Sequence, residues 1–255
     1  MCLIFLSLRQ NPQYPLVIVA NRDEFYARHT APADFWQDSP HVLAGRDLEA
    51  GGTWMGVAKS GRLALVTNYR DPNHINPHAP SRGHLVADFL QQPVTPDQYV
   101  AAVEKKKSLY NGFNLIVGDA NGLSYLSNYG RGTERLSPGF YGLSNHLLDT
   151  PWPKVQRGKT VLQERVLHEV MPTQQLLDAM ADEAVASDAD LPDTGIGLER
   201  ERALSAMFIK TPNYGTRCST VVTLDRHRVL TFTERVFDVR TFAYETRTFS
   251  FSIES

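Results

Sequence analysis

Position 2 holds a cysteine, and a cysteine there can do chemistry that the same residue deeper in a chain cannot. Removal of Met1 is expected when the second residue is small. The mature chain would then begin with a thiol and a free α-amine on one residue. Such an amine has a pKa of roughly 7.7–8.0, so near neutral pH it can accept the thiol proton. Nucleophile and base would form one compact unit. Cys2 equally fits a plainer role, as a small buried side chain opening a strand.

The elements around Cys2 must decide between these. Leu3 to Leu8 is an apolar run, Asn11-Pro12-Gln13 is turn chemistry, and Pro15 to Ala20 is a second apolar, β-branched run. A hairpin centred on that turn pairs positions whose numbers sum to about 23. Cys2 then lies beside Asn21, the first residue of Asn21-Arg22-Asp23-Glu24. There a carboxylate would hold the α-amine, and Arg22 would depress the thiol pKa or hold a substrate carboxylate. The alternative is an ordinary strand terminus with Arg22 and Asp23 paired on the surface.

Further along, Trp54 to Ala58 and Arg62 to Thr67 flank the turn Lys59-Ser60-Gly61. Their open end brings Gly51-Gly52-Thr53 close to Thr67-Asn68-Tyr69. Gly52 either admits a substrate close to the backbone or only shapes the strand entry. Thr30 to Asp47 reads as a loop. Ser81 to Gln92 and Thr95 to Tyr110 read as helices, the second with Thr95 as N-cap and Pro96 at its first position. Strands return at Phe113 to Gly118, Leu123 to Ser127 and Phe140 to Ser144, the last ending at Asn145. Helical periodicity runs from Lys154 to Phe208, with Leu162, Val166 and Val170, then Leu176, Met180 and Ala184, at four-residue spacing. An acidic loop, Ser187 to Gly197, interrupts it. Arg217 to Leu224, Arg228 to Val236 and Thr241 to Ile253 close the chain as strands. Hairpin-linked strands alternating with helical blocks predict an α+β fold of antiparallel sheets covered by helices, with no domain boundary across residues 1–255.

Composition narrows the function classes. The chain has 26 basic and 28 acidic residues, a net charge of -2, and no basic stripe beyond Lys105-Lys106-Lys107, which excludes nucleic acid as an expected partner. Two cysteines make neither a disulfide framework nor a zinc pattern, and fit a reducing compartment. The apolar start is too short for a signal peptide and no stretch reaches membrane-span length, so a cytoplasmic location is expected. His74, His78 and His84 are too loosely spaced for a recognised metal or haem site, and no cofactor is required.

Met1-Cys2, Ala20-Asn21-Arg22-Asp23-Glu24, Gly51-Gly52-Thr53-Trp54, Thr67-Asn68-Tyr69-Arg70 and Tyr214-Gly215-Thr216-Arg217, in that order along the chain, resemble the landmarks of the NRDE family, the transport and Golgi organisation protein two-like proteins. The resemblance implies one domain with a four-layer αββα fold like that of the N-terminal-nucleophile (Ntn) hydrolases. Eukaryotic members are linked to secretory-pathway organisation and to haem mobilisation, while the fold points to amide hydrolysis. By likeness to the cysteine branch of that fold, which includes penicillin and bile-salt acylases, Asp23 matches the aspartate after the second strand. Asn68 and Asn145 match oxyanion-hole asparagines, and Arg217 matches a late arginine. Cys2, Asp23, Asn68, Asn145 and Arg217 are thus the implied catalytic set, with Asn21, Arg22, Gly52 and Thr53 around the substrate. The partner is a small amide or acyl compound. The competing reading is a non-catalytic carrier of haem or another hydrophobic ligand.

Overall fold

The structure is a computed structural model and describes residues 2–167 and 170–254. The expected processing of Met1 lies outside those residues. In chain order the strands and helices are β1 (Cys2–Leu8), β2 (Leu16–Phe25), β3 (Thr30–Trp36), β4 (Ser39–Asp47), β5 (Met55–Ala58), β6 (Leu63–Asn68), α1 (Gly83–Gln91) and α2 (Pro96–Lys106). There follow β7 (Phe113–Asp119), β8 (Gly122–Ser127), β9 (Thr133–Arg135), β10 (Gly139–Leu143), α3 (Pro153–Val166), α4 (Thr173–Ala179) and α5 (Leu198–Ala203). The chain closes with β11 (Tyr214–Leu224), β12 (Val229–Phe237) and β13 (Tyr244–Ser252). This is an α+β fold with two antiparallel sheets. Among the described residues no helix is long and apolar enough to cross a membrane.

Two compact units result. Met1–Ala27 with Pro138–Ser250 form the first, and Arg28–Ser137 with Phe251–Ser255 form the second. The first carries a six-stranded sheet in the order β10-β1-β2-β11-β12-β13. Leu3, Phe5, Val17, Val19 and Val221 on one of its faces pack against Val155, Leu162 and Val166 of α3 and Leu176 and Leu177 of α4. Every residue of β1 is buried, which explains why its sequence is a continuous apolar run and not an alternation. Val170, expected to extend the stripe of Leu162 and Val166, is exposed because α3 has ended before it.

The second unit carries a seven-stranded meander, β3 to β9 in sequence order. Val42, Ala44, Ala64, Val66, Leu115 and Val117 pack against Leu85, Phe89, Tyr99 and Val103 of α1 and α2. Thr95 does cap α2. Its hydroxyl accepts from the Gln98 amide while the Gln98 side chain accepts from the Thr95 amide, a reciprocal capping box. The segment from Thr30 to Asp47, expected as a loop, is instead the β3–β4 hairpin. Its Pro and Asp residues disguised it, yet β3 is an edge strand, where Pro32 removes no needed ladder bond. Arg46 holds the hairpin by pairing with Asp38 and lying 4.3 Å over the Trp36 ring.

Candidate active site

The β1–β2 connection sets what stands beside Cys2. Arg9 takes a positive φ of 54° and its amide donates to Pro15 O. Asn11 Oδ1 accepts from the amides of Gln13 and Tyr14, and Asn11 Nδ2 donates to Val166 O at the end of α3. Leu8 therefore pairs with Leu16, and Cys2 pairs with Arg22, one residue beyond the expected Asn21. Side chains alternate faces along a strand, so that single residue decides which member of the tetrad shares a face with the thiol.

Arg22 is the member opposite the thiol, and Glu24, two residues on, lies on the same face. Arg22 also pairs with Cys218 of β11 on its other side. On the far side of β1, Ile4 pairs with Leu143, the last residue of β10, and Asn145 follows two residues after that strand ends. Cys2, Arg22 and Cys218 thus form a row across three adjacent strands, β1, β2 and β11. Both cysteines are free and buried. One strand, β2, lies between them, which sets them two inter-strand spacings or about 10 Å apart, beyond disulfide reach. Asn145 is fully buried and accepts from the Ser144 hydroxyl. Arg22 has an Nη2 3.7 Å from Glu24 Oε2.

Burial pushes the Cys2 thiol up to about 11; the amino-terminal charge and Arg22 draw it down, while Asp23 and Glu24 work with burial. Cys218 too is raised well above its ordinary value, first by burial and then by Glu234, to whose carboxylate its thiol donates. Cys218 and Glu234 were not anticipated as site residues. The signal for Cys218 was its place directly after the Tyr214-Gly215-Thr216-Arg217 motif.

Asn21 and Asp23 face the other way, toward the segment joining α5 to β11. Asn21 Nδ2 donates to Met180 O and Met207 O, both at 2.8 Å, and its Oδ1 accepts from Ser219 Oγ at 2.6 Å. That is the bonding of a buried clamp between sheet and connection. Asp23 Oδ1 accepts from Thr216 Oγ1 at 2.7 Å, and Thr216 Oγ1 accepts from the Ile209 amide. Burial raises the Asp23 carboxyl, and the Lys154 charge is the strongest influence opposing it. Arg217 occupies the irregularity in the β2–β11 register and donates through Nη1 to Phe25 O and Tyr26 O.

Gly215 explains part of its own motif. A Cβ there would stand 2.3 Å from Ile209 O and from the Tyr26 hydroxyl. Gly215→Ala is expected to lower stability by about 1–3 kcal/mol through overpacking. A urea midpoint equal to that of the parent protein would show that the Ile209 backbone can step aside.

Gly52, Thr53 and Asn68 belong to the second unit. A Cβ on Gly52 would meet the backbone of Gly83 at 2.5 Å, so this glycine permits the approach of chain to chain at the start of α1. The buried Thr53 donates its hydroxyl to Met55 O. Asn68 ends β6 opposite Phe113. His74 is hydrogen-bonded to Asp71, and His84 to Ala50 O.

Residues 1–239 match the Transport and Golgi organisation 2 family. The chain belongs to that family. It is 39% identical over 277 residues to the Transport and Golgi organization protein 2 homolog of Homo sapiens, covering all of both chains. With Transport and Golgi organization protein 2 of Drosophila melanogaster it shares 30% over 266 residues, covering 92% of this chain and 91% of the other. Among solved structures, the Caenorhabditis elegans ortholog of N-acylethanolamine-hydrolyzing acid amidase superposes with a TM-score of 0.50 at 12% identity, covering 86% of this chain and 92% of that one. The Transport and Golgi organisation 2 fold seen here is therefore that of the Ntn hydrolases.

Proposed function

We propose that this protein is an Ntn-type cysteine hydrolase of an amide or related acyl bond. The observation that carries the reading is Cys2, at the very start of β1, paired with Arg22 of β2, while the buried Asn145 follows the end of β10, the strand on its other side. In a chain that begins at Cys2, the α-amine takes the thiol proton and the sulfur attacks the substrate carbonyl. The developing oxyanion accepts a hydrogen bond from the Asn145 side chain, worth about 2.7–4 kcal/mol for one well-placed donor. Collapse of the tetrahedral intermediate breaks the C–N bond. The ammonium returns its proton to the departing amine, leaving a thioester on Cys2. Water then adds to the thioester, and the carboxylic acid leaves as the thiol is restored.

The two neighbours of Cys2 on β2 take different tasks under this reading. Arg22 shares the thiol face, where its charge favours thiolate or receives an anionic group of the substrate. Asp23 lies on the opposite face. The amine of a strand's first residue sits at the strand end and is open to either face, so Asp23 is the group that holds it.

The test is acyl capture. Protein whose intact mass shows a start at Cys2 is mixed with N-acyl ethanolamides and N-acyl amino acids, quenched in acid, and its N-terminal peptide weighed. An acyl adduct on Cys2 with release of free amine is expected, and Cys2→Ala gives neither. Full turnover by Cys2→Ala, or Met1 retained throughout, would sink the proposal.

A further inference from the structure

Arg22 brings a guanidinium, with its fixed fork of N–H donors, into a buried place beside the thiol. It is only 9% exposed. Its cross-strand neighbours are Cys2 of β1 and Cys218 of β11. On the same strand and face, Glu24 Oε2 stands 3.7 Å from Arg22 Nη2, an ion-pair distance past hydrogen-bond length. Among the described residues the guanidinium donates no hydrogen bond. A buried donor left unmet costs free energy, and a charged one costs more. The contrast lies within one strand, since Asn21 and Asp23 on the other face are both hydrogen-bonded.

Shape and charge set what would meet those donors. A guanidinium fork matches a planar carboxylate through two parallel N–H···O bonds. Glu24 already places a negative charge on this face, which disfavours a doubly charged phosphate and tolerates a single charge better. The thiol then fixes where that carboxylate sits in a substrate. Residues directly opposite on neighbouring strands have Cβ atoms about 4.5–5.5 Å apart. A carboxylate held by Arg22 therefore lies close to a carbonyl attacked by Cys2, and not at the far end of a long acyl chain. Against the burial that raises both thiols, the Arg22 charge draws down Cys2 and Cys218 alike, as a group lying between them would.

We propose that Arg22 is a carboxylate-binding specificity residue, and that the amides cleaved at Cys2 carry a carboxylate beside the scissile bond. The substrate assignment rests on the hydrolase reading above, whereas the carboxylate site rests on Arg22 itself. Two arrangements supply the same chemistry. In an N-acyl α-amino acid the carboxylate is on the departing amine. In a succinamic acid it is on the acyl part. Both hold the carboxylate carbon three bonds from the carbonyl carbon.

The experiment compares the parent protein with Arg22→Gln and Arg22→Lys, each verified by mass to begin at Cys2. The substrates are N-butyrylglycine and N-butylsuccinamic acid, each beside a neutral counterpart in which a carboxamide replaces the carboxylate. The readout is the rate of acyl capture on the Cys2 peptide, whose added mass shows which bond broke. At least one anionic amide is expected to react tenfold or more faster than its neutral counterpart, as a bidentate charge-assisted pair allows. Arg22→Gln brings that ratio close to one, and Arg22→Lys keeps part of it. A ratio taken within one variant cancels any effect of Arg22 on the thiol, because both amides meet the same thiol. Preference within the glycine pair puts the carboxylate on the leaving amine, and preference within the succinamic pair puts it on the acyl part. A second probe needs no turnover. The rate of Cys2 alkylation by iodoacetate relative to neutral iodoacetamide is expected to fall at least tenfold in Arg22→Gln.

Acyl adducts that form equally fast from the anionic and neutral members of both pairs, or a ratio unchanged in Arg22→Gln, overturn the role of Arg22 and leave the hydrolase reading standing. Should Arg22→Gln not fold, the ratios in the parent protein and in Arg22→Lys decide the same question. No acyl adduct from any of the four amides, with the iodoacetate preference lost in Arg22→Gln as expected, overturns the hydrolase reading and the substrate assignment but keeps Arg22 as a carboxylate site.

Discussion

Protein that keeps Met1 is expected to alkylate at Cys2 at least a hundredfold more slowly at pH 7 than protein that begins at Cys2. With Met1 attached, the nitrogen of Cys2 is an amide and cannot accept a proton. The thiol, pushed up to about 11 by burial, must ionise alone. At pH 7 its thiolate fraction is on the order of one in ten thousand. Removing Met1 adds a base whose pKa of roughly 7.7–8.0 lies within reach of neutral pH. The pH range over which the rate rises separates the two forms. The Met1 form gains about tenfold in rate per pH unit until its thiol titrates near 11, whereas the processed form levels off once its amine is neutral. Iodoacetamide kinetics on both forms, with the Met1 form made in cells whose methionine aminopeptidase is inhibited, give the comparison. Superimposable profiles would show that the α-amine does nothing for Cys2.

Asn21→Ala is expected to cost about 3 kcal/mol or more of stability. Its side chain makes three buried hydrogen bonds, to Met180 O, Met207 O and Ser219 Oγ. Alanine leaves two carbonyls and a hydroxyl without that partner, and an unsatisfied buried polar group costs about 1–3 kcal/mol. The loss falls on the link between β2 and the connection that carries Met207, which is also the connection held by Lys154. Urea unfolding reads it as a lower midpoint at constant slope. A residue that only touched substrate would leave that midpoint where it is, so an unshifted midpoint would return Asn21 to the substrate-binding set.

How much of the site was legible follows residue by residue. Cys2 and the tetrad near position twenty were brought together by two apolar runs and a turn, which is local information. The capping of α2 was legible for the same reason, since Thr95, Pro96 and Gln98 are near neighbours in the chain. The β3–β4 hairpin was not, because its turn and edge residues match a loop in composition, and only pairing with β5 gives them a sheet to extend.

The register between Cys2 and the tetrad marks the boundary. Sequence determined that these residues would meet. It did not determine which face each would show, because a strand repeats every two residues and one residue in the turn exchanges Asn21 for Arg22. The side chain of Asn11, tied to the end of α3, settled that choice. Cys218 joined the site only through the fold. Cys218 lies 196 residues from Arg22, and no local pattern records such a pairing. Burial then changed what these groups are. The Cys2 thiol and the Asp23 carboxyl, which water would keep at their ordinary pKa values, are both raised, because burial penalises the charged form of each.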